Sequence, residues 1–229
     1  MIVLLSGGLD STVLTAKMIH DGDTVDAVSI HYGQRHAREL TAAAQVAAHY
    51  GIRHDVIDLS ALRPHLASSA LTGDTDVPEG HYAAGNMKAT VVPNRNMIML
   101  AVAAGIAADR GHRTVATAVH AGDHPVYPDC RPEFIQAVST ATGLGTAGYG
   151  DVQVYAPFAW MTKTQVAALG AELGAPVGLS WSCYQGGDQH CGRCGTCVER
   201  YEAFRAARVP DPTRYADPAF AALTVADGS

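Results

Sequence analysis

Four apolar residues in a row, Ile2-Val3-Leu4-Leu5, stop at Ser6-Gly7-Gly8, and helix-forming sequence carrying Thr12, Val13, Ala16, Met18 and Ile19 follows at once. An unbroken apolar run of this length is the mark of a strand buried on both faces, and sheets covered on both faces are parallel sheets flanked by helices. The alternation recurs downstream. Strands are predicted at 25–32 and 55–59 around the Ala-rich helical stretch 39–50. A helix is then predicted at 97–109, a strand at 114–119, a helix at 133–142, a strand at 152–156, and a helix at 163–173 closed by Gly174 and Pro176. Such a series specifies βαβ units, so the fold class is α/β, a Rossmann-like parallel sheet with flanking helices. Residues 72–94 carry Gly73, Pro78, Gly80, Gly85 and Pro93, too many breakers for a regular element. A loop this long reads as a lid over a site.

Beyond residue 176 the composition shifts to Gly, Cys and polar residues, and after Val209 come Pro210, Pro212 and Pro218 with no period. Residues 1–176 are therefore expected to form a nucleotide-binding α/β domain, and 177–229 a small C-terminal metal-binding lobe packed on it. Cys183, Cys191, Cys194 and Cys197 supply four thiolates from one loop, with Gly192 and Gly195 free to turn the backbone around an ion. Four cysteines fill a tetrahedral Zn²⁺ shell and leave no position for substrate, which makes the expected zinc structural. An iron–sulfur cluster is the rival, since the last three cysteines repeat the C-x₂-C-x₂-C spacing. The Cys-Pro continuation is missing, however, and Glu199, Arg200 and Tyr201 stand there. His190, next to Cys191, is the one histidine placed to replace a thiolate. Five cysteines are an odd number, and a secreted disulfide framework fits them poorly.

Hydrophobic residues make up 48% of the 229 and charged residues 17%, a balance that excludes disordered and coiled-coil chains. The formal charge of −6 has the wrong sign for a stable nucleic-acid partner. No run approaches the roughly 20 apolar residues of a membrane span, and no basic segment precedes the first strand, so a cytoplasmic protein with no membrane partner is expected.

The loop Ser6-Gly7-Gly8-Leu9-Asp10-Ser11-Thr12 sits where a strand feeds a helix, and there unpaired N–H groups and the helix dipole favour an anion. Two glycines remove the Cβ atoms that would block its approach. Ser6, Ser11 and Thr12 add hydroxyl donors, while Asp10 either fixes the loop or helps to hold Mg²⁺. Neither G-x-x-x-x-G-K-[ST] nor G-x-G-x-x-G is present. The bland alternative is a Gly-containing turn capped by Ser11.

The S-G-G-x-D-S run resembles the pyrophosphate-binding loop of adenine-nucleotide α-hydrolases, which cleave ATP between the α- and β-phosphates. With it come His31-Tyr32-Gly33-Gln34-Arg35-His36, Val92-Pro93-Asn94-Arg95-Asn96, Gly122-Asp123, Tyr127-Pro128-Asp129-Cys130-Arg131-Pro132-Glu133-Phe134 and the four-cysteine loop, in that order. Together they resemble the 7-cyano-7-deazaguanine synthase family over nearly the whole chain. Some members of that family carry Gly where Asn94 stands, a change that a turn tolerates. The resemblance implies conversion of 7-carboxy-7-deazaguanine and ammonia to the nitrile through an amide, with two ATP consumed to AMP and pyrophosphate. It also implies Mg²⁺ with the ATP, and a homodimer. Free ammonia is the simpler nitrogen source because no residues remain for a glutaminase. Competing readings are a tRNA-modifying or amine-conjugating relative and a zinc-stabilised nucleotide sensor.

Lys163 resembles in position a lysine that contacts ATP phosphates in related enzymes. Arg95 can clamp a phosphate or the substrate carboxylate with its planar fork, and Arg35, Arg131 and Lys88 are weaker versions of the same idea. Asp123, Tyr127 and Asp129 follow a strand at its carboxyl end, where an aspartate can accept from a guanine-like N–H edge or cap the next helix. His31 and His36 either line the nucleotide pocket or sit on an exposed loop. Cys130 reads as a small buried residue, not a nucleophile.

Overall fold

The structure, a computed structural model, describes residues 1–35, 38–81 and 85–220. Five strands are joined in the order β3-β2-β1-β4-β5: β1 (Ile2–Leu4), β2 (Asp26–His31), β3 (His54–Asp58), β4 (Thr114–Ala116) and β5 (Gln153–Tyr155). Every pairing is parallel, with Ile2 opposite Asp26 and Val115, and Val115 opposite Val154. The strand order reverses between β1 and β4, so a crevice opens there at the carboxyl ends of the strands.

Side-chain alternation assigns the two faces. Val3, Leu5, Ala27 and Ala116 face α1 (Leu9–His20), α2 (Arg38–Tyr50), α5 (Lys163–Glu172) and α6 (Gly195–Ala207). Ile2, Val28, Ile30 and Val115 face α3 (Arg95–Asp109) and α4 (Pro132–Gly145). Both faces of β1 are thus buried, which is why its sequence is apolar without a break.

Three segments depart from the sequence-based expectation. β4 ends at Ala116, three residues early: Thr117 makes a last bond to the Tyr155 carbonyl, and Thr117, Ala118 and Val119 wall the crevice. α6 was not foreseen, although Cys197, Val198, Tyr201 and Phe204 stand at helical spacing. Its stripe is masked by the buried charges Glu199 and Arg200. The described residues of the breaker-rich stretch 72–94 are irregular as expected apart from one 3-10 helix, Gly85–Thr90, and they do not form the expected lid. Its Val77, Met87, Thr90 and Val92 are buried, and none of its described residues lines the crevice. It contributes Asn94, whose left-handed backbone (φ 56°) directly precedes α3; glycine and asparagine are the residues that adopt this conformation most readily.

By length and composition alone the stretch Met87–Asp109 is long and apolar enough to cross a membrane, contrary to the expectation that no run comes near a span. It is a core element: Leu100, Ala103, Ala104 and Ala107 are buried, and α3 packs against β1, β4 and α4.

The C-terminal segment joins the same interior. Cys183, Cys194 and Cys197 belong to the hydrophobic cluster that contains β2 and α3, and α6 packs along α5. Arg200, only 1% exposed, donates to Ser180 Oγ (2.7 Å), the Val177 carbonyl (3.0 Å) and Asp211 (3.3 Å), so a buried charge is fully committed to holding this segment.

Candidate active site and metal centre

The loop between β1 and α1 is shaped by its own hydroxyls. Ser11 Oγ accepts from the Gly7 N–H (3.2 Å) and donates to the Gly8 carbonyl (3.2 Å), and Ser6 Oγ lies 3.0 Å from Ser11 Oγ and accepts from the Gly8 N–H (3.3 Å). Thr12 donates to the Gly8 carbonyl (2.9 Å) and is fully buried, so it braces the loop from inside the helix. Gly7 has φ +85°, and a Cβ there would collide with the Glu39 carbonyl and the Ala43 nitrogen of α2. Gly7→Ala is therefore expected to cost about 2 kcal/mol or more and to weaken ATP binding by about tenfold or more, read by thermal melting and nucleotide titration. Unchanged ATP affinity would remove this loop from the nucleotide site.

Four elements converge beyond the loop. Lys163, at the start of α5 behind the Thr162–Gln165 capping box, donates to Asp10 Oδ2 (2.7 Å) and pairs with Glu199 Oε2 of α6 (3.1 Å). Its Nζ also lies 3.4 Å from Nε2 of buried His120, whose backbone N–H donates to Asp123 (3.2 Å). Burial alone would depress the Lys163 pKa, but Asp10, Glu199 and Asp123 outweigh it and hold the ammonium charged. For Asp10, burial pushes upward and is overcome by Lys163 and His120, so its carboxyl lies below the usual range. Glu199 is pushed up, mainly by burial. Three carboxylates against one ammonium leave an excess of negative charge, and Asp10 Oδ1 is buried with no partner among the described residues. That donor set fits a hard divalent cation such as Mg²⁺.

The same cleft continues into an aromatic pocket. The Arg95 guanidinium lies 5.5 Å from the Tyr32 ring centroid and 5.9 Å from that of Tyr127, and donates to Tyr32 Oη (3.3 Å). Tyr127 Oη is 2.7 Å from Thr90 Oγ1, and Tyr184 hydrogen-bonds to Tyr127. Glu39 lines this end as well; burial pushes its carboxyl up to about 7, against the opposing pull of Arg95.

The four cysteine sulfurs lie within 4.8 Å of one another, with Cys191 and Cys197 3.9 Å apart. Backbone N–H groups of Gln185 and Cys191 point at the Cys183 sulfur, and those of Arg193 and Cys194 at the Cys191 sulfur, at 3.3–3.4 Å. Such donors stabilise thiolates, and the cluster fits a metal ion held by four sulfurs. Gly192 (φ +79°) passes so close to the Asp217 carbonyl that a Cβ would collide with it. His190 stands outside the shell: its Nε2 accepts from the Ser182 N–H (3.0 Å), and burial with the nearby Arg200 lowers its pKa to about 4.

Of the residues singled out from sequence, Ser6, Gly8, Leu9, Asp10, Ser11, Arg95, Asp123 and Lys163 line one cleft, with Gly7 and Thr12 directly behind it. Arg35 also lines it but donates to the Thr75 carbonyl. Lys88 is exposed and Arg131 is turned to the His124 carbonyl, both away from the cleft. Asp129 accepts from the Asn96 N–H (2.9 Å) and so fixes the start of α3, not of α4. His31 lies 3.3 Å from Asp58, away from the cleft, and His36 is outside the described residues. Cys130 is 4% exposed, with a thiol that burial, Asp123 and Asp129 push up, which suits a core residue. Glu39, His120, Tyr184 and Glu199 were not foreseen, because no local pattern marks them.

A family model described as queuosine biosynthesis protein QueC matches residues 1–208. A 7-cyano-7-deazaguanine synthase from Ruegeria pomeroyi is 52% identical over 219 residues, 96% of this chain and 95% of that protein. One from Rhizobium meliloti is 53% identical over 96% of this chain and 93% of its own. Among solved structures, NMN synthetase from Francisella tularensis matches with a TM-score of 0.51 at 14% identity, over 98% of this chain and 81% of that one, a likeness of fold alone. The family match over residues 1–208 and the high identity over nearly the whole chain agree: it belongs to the QueC family of queuosine biosynthesis proteins.

Proposed function

We propose that the cleft converts 7-carboxy-7-deazaguanine, ammonia and ATP to 7-cyano-7-deazaguanine, AMP and pyrophosphate. The observation that carries this reading is the continuity of one cleft, with a phosphate-type loop and the Asp10–Lys163–Glu199 cluster at one end and the Arg95–tyrosine pocket at the other. An activated-acid mechanism needs a triphosphate and a planar acid side by side.

The carboxylate is a poor electrophile, so one of its oxygens attacks the α-phosphorus and pyrophosphate leaves. Ammonia attacks the acyl carbon, AMP departs, and an amide and a proton remain. The amide oxygen is activated in the same way by a second ATP, and loss of AMP with both amide protons leaves the nitrile. First-turn N–H groups of α1, the Ser6 and Ser11 hydroxyls and Lys163 are placed to neutralise pyrophosphate. Asp10, with Asp123 or Glu199 nearby, would hold Mg²⁺, which would supply further charge neutralisation. Arg95 holds the acid, with Tyr32, Tyr127 and Tyr184 as flat walls. The four-cysteine site is assigned to structural zinc, because four thiolates leave no open position for substrate. Exposed Leu144, Tyr149, Tyr155 and Trp160, all on or beside edge strand β5 and α4, offer an apolar surface that supports a homodimer.

Incubation with Mg²⁺, ATP, ammonium and 7-carboxy-7-deazaguanine is expected to yield the nitrile with AMP and pyrophosphate, identified by mass spectrometry. ADP as the nucleotide product would overturn attack at the α-phosphorus. AMP with amide alone would move the assignment to an amide-forming relative.

A further inference from the structure

We propose that Glu39 is the residue that reads the substrate ring, its carboxylate accepting from the ring N–H and the 2-amino group of a 2-amino-4-oxo pyrimidine edge. The proposal deepens the functional reading above and rests on it.

Four carboxyl groups line the cleft, those of Asp10, Glu39, Asp123 and Glu199. Asp10 and Glu199 are committed to Lys163, and Asp123 accepts from the His120 N–H. Asp129, a candidate from sequence for this task, is spent on Asn96 and lies outside the cleft. Among the described residues, no donor reaches the Glu39 carboxylate, so this acceptor is open to a ligand. A carboxylate withdrawn into a cleft and only partly exposed is costly without a partner, and two N–H donors on a ligand offset that cost. The near-neutral titration of Glu39 is consistent with an acceptor that lacks its donors.

Position supports the assignment. The Glu39 carbonyl is packed against Gly7, which fixes the start of α2 against the ATP loop and leaves its side chain at a set place beside it. Arg95 lies within electrostatic reach, and Tyr32, Tyr127 and Tyr184 surround the guanidinium. On the substrate perimeter, the carboxylate, the ring oxo group, the ring N–H and the 2-amino group follow one another in that order. Acceptor groups then meet Arg95, donor groups meet Glu39, and the flat faces meet the tyrosines. Two parallel hydrogen bonds to one carboxylate are the recognition that such adjacent donors favour.

The test pairs the enzyme change with a ligand change. 7-Carboxy-7-deazaguanine and its analogue lacking the 2-amino group are compared on the wild type and on Glu39→Gln, by calorimetric binding and by kcat/KM. The wild type is expected to favour the amino ligand by about 10- to 100-fold, and Glu39→Gln to lower kcat/KM for it by about 100-fold, chiefly through KM. The preference between the ligands should then shrink to about threefold or less, because a single coupling has been removed. Glu39→Asp, which keeps the carboxylate, should recover part of the preference. ATP affinity serves as the folding control and should not change. A preference equally strong in Glu39→Gln would overturn the proposal, as would an equal loss with both ligands through kcat alone. A wild type that binds neither ligand while still binding ATP would instead overturn the functional reading beneath it, and the two failures are told apart by that ATP control.

Discussion

Cys194→Ser is expected to lower the melting temperature by roughly 10 °C or more and to abolish activity with it. Metal binding to four-cysteine sites is worth about 10–16 kcal/mol in isolated fingers, and a chain of this size loses about 2–4 °C per kcal/mol. A change that removes one thiolate of four therefore has ample energy behind it. Cys194 is fully buried, its sulfur belongs to the cluster that holds the segment from Cys183 to Cys197, and that segment contributes Cys183, Tyr184 and Thr196 to the cleft, with Trp181 and Ser182 directly before it. Elemental analysis should find one zinc per wild-type chain and no iron, and a chelator strong enough to strip it should reproduce the variant's melting curve. Full stability after the metal has been stripped would show that the cysteine cluster is not what holds this segment.

Lys163→Met is expected to reduce pyrophosphate release by about 10²–10³-fold, the scale on which a positioned charge acts in a water-poor site. It should also destabilise the fold by about 3–5 kcal/mol, because Asp10 and Glu199 then face each other without their shared cation. These two effects separate in a double variant. Lys163→Met with Glu199→Gln removes one of the stranded charges and should regain much of the melting temperature, while the rate stays low. Rate and stability recovering together would mean that Lys163 is a structural ion-pair partner and not a phosphate ligand.

Much of this architecture could be read along the chain because its signals are local. The Ile2–Leu5 run and the Ser-Gly-Gly turn mark a strand and the turn after it within a few residues, and the four cysteines mark a cluster within fifteen; the structure has β1, the turn into α1 and four sulfurs within 4.8 Å of one another. Asn94 belongs with them, since a left-handed residue before a helix leaves its mark in residue type. What escaped was set by distant neighbours. Glu199 lies on a helix whose apolar stripe is interrupted by charges, and its importance comes from Lys163, 36 positions earlier in the sequence. Glu39 reads from sequence as an ordinary first-turn glutamate, and only the closure of α2 onto the Gly7 turn brings it into the cleft. The segment 72–94 departs from its expectation for the converse reason. Its breakers leave no α-helix or strand among its described residues, but Val77, Met87 and Val92 find burial all the same.

The contact between Gly7 and the Glu39 carbonyl also limits how such an enzyme can be altered. The peptide that shapes the nucleotide loop and the peptide that carries Glu39 touch through backbone atoms, where no rotamer change can make room. Lengthening or shortening the link between β2 and α2 would move both at once, so loop grafting at that place is expected to disturb the proposed ATP loop together with the proposed ring contact. Exchanging side chains at Glu39, Tyr32 or Tyr184 leaves the backbone path alone. An engineer who wants a different heterocycle in this scaffold is therefore confined to substitution, and insertions and deletions belong elsewhere in the chain.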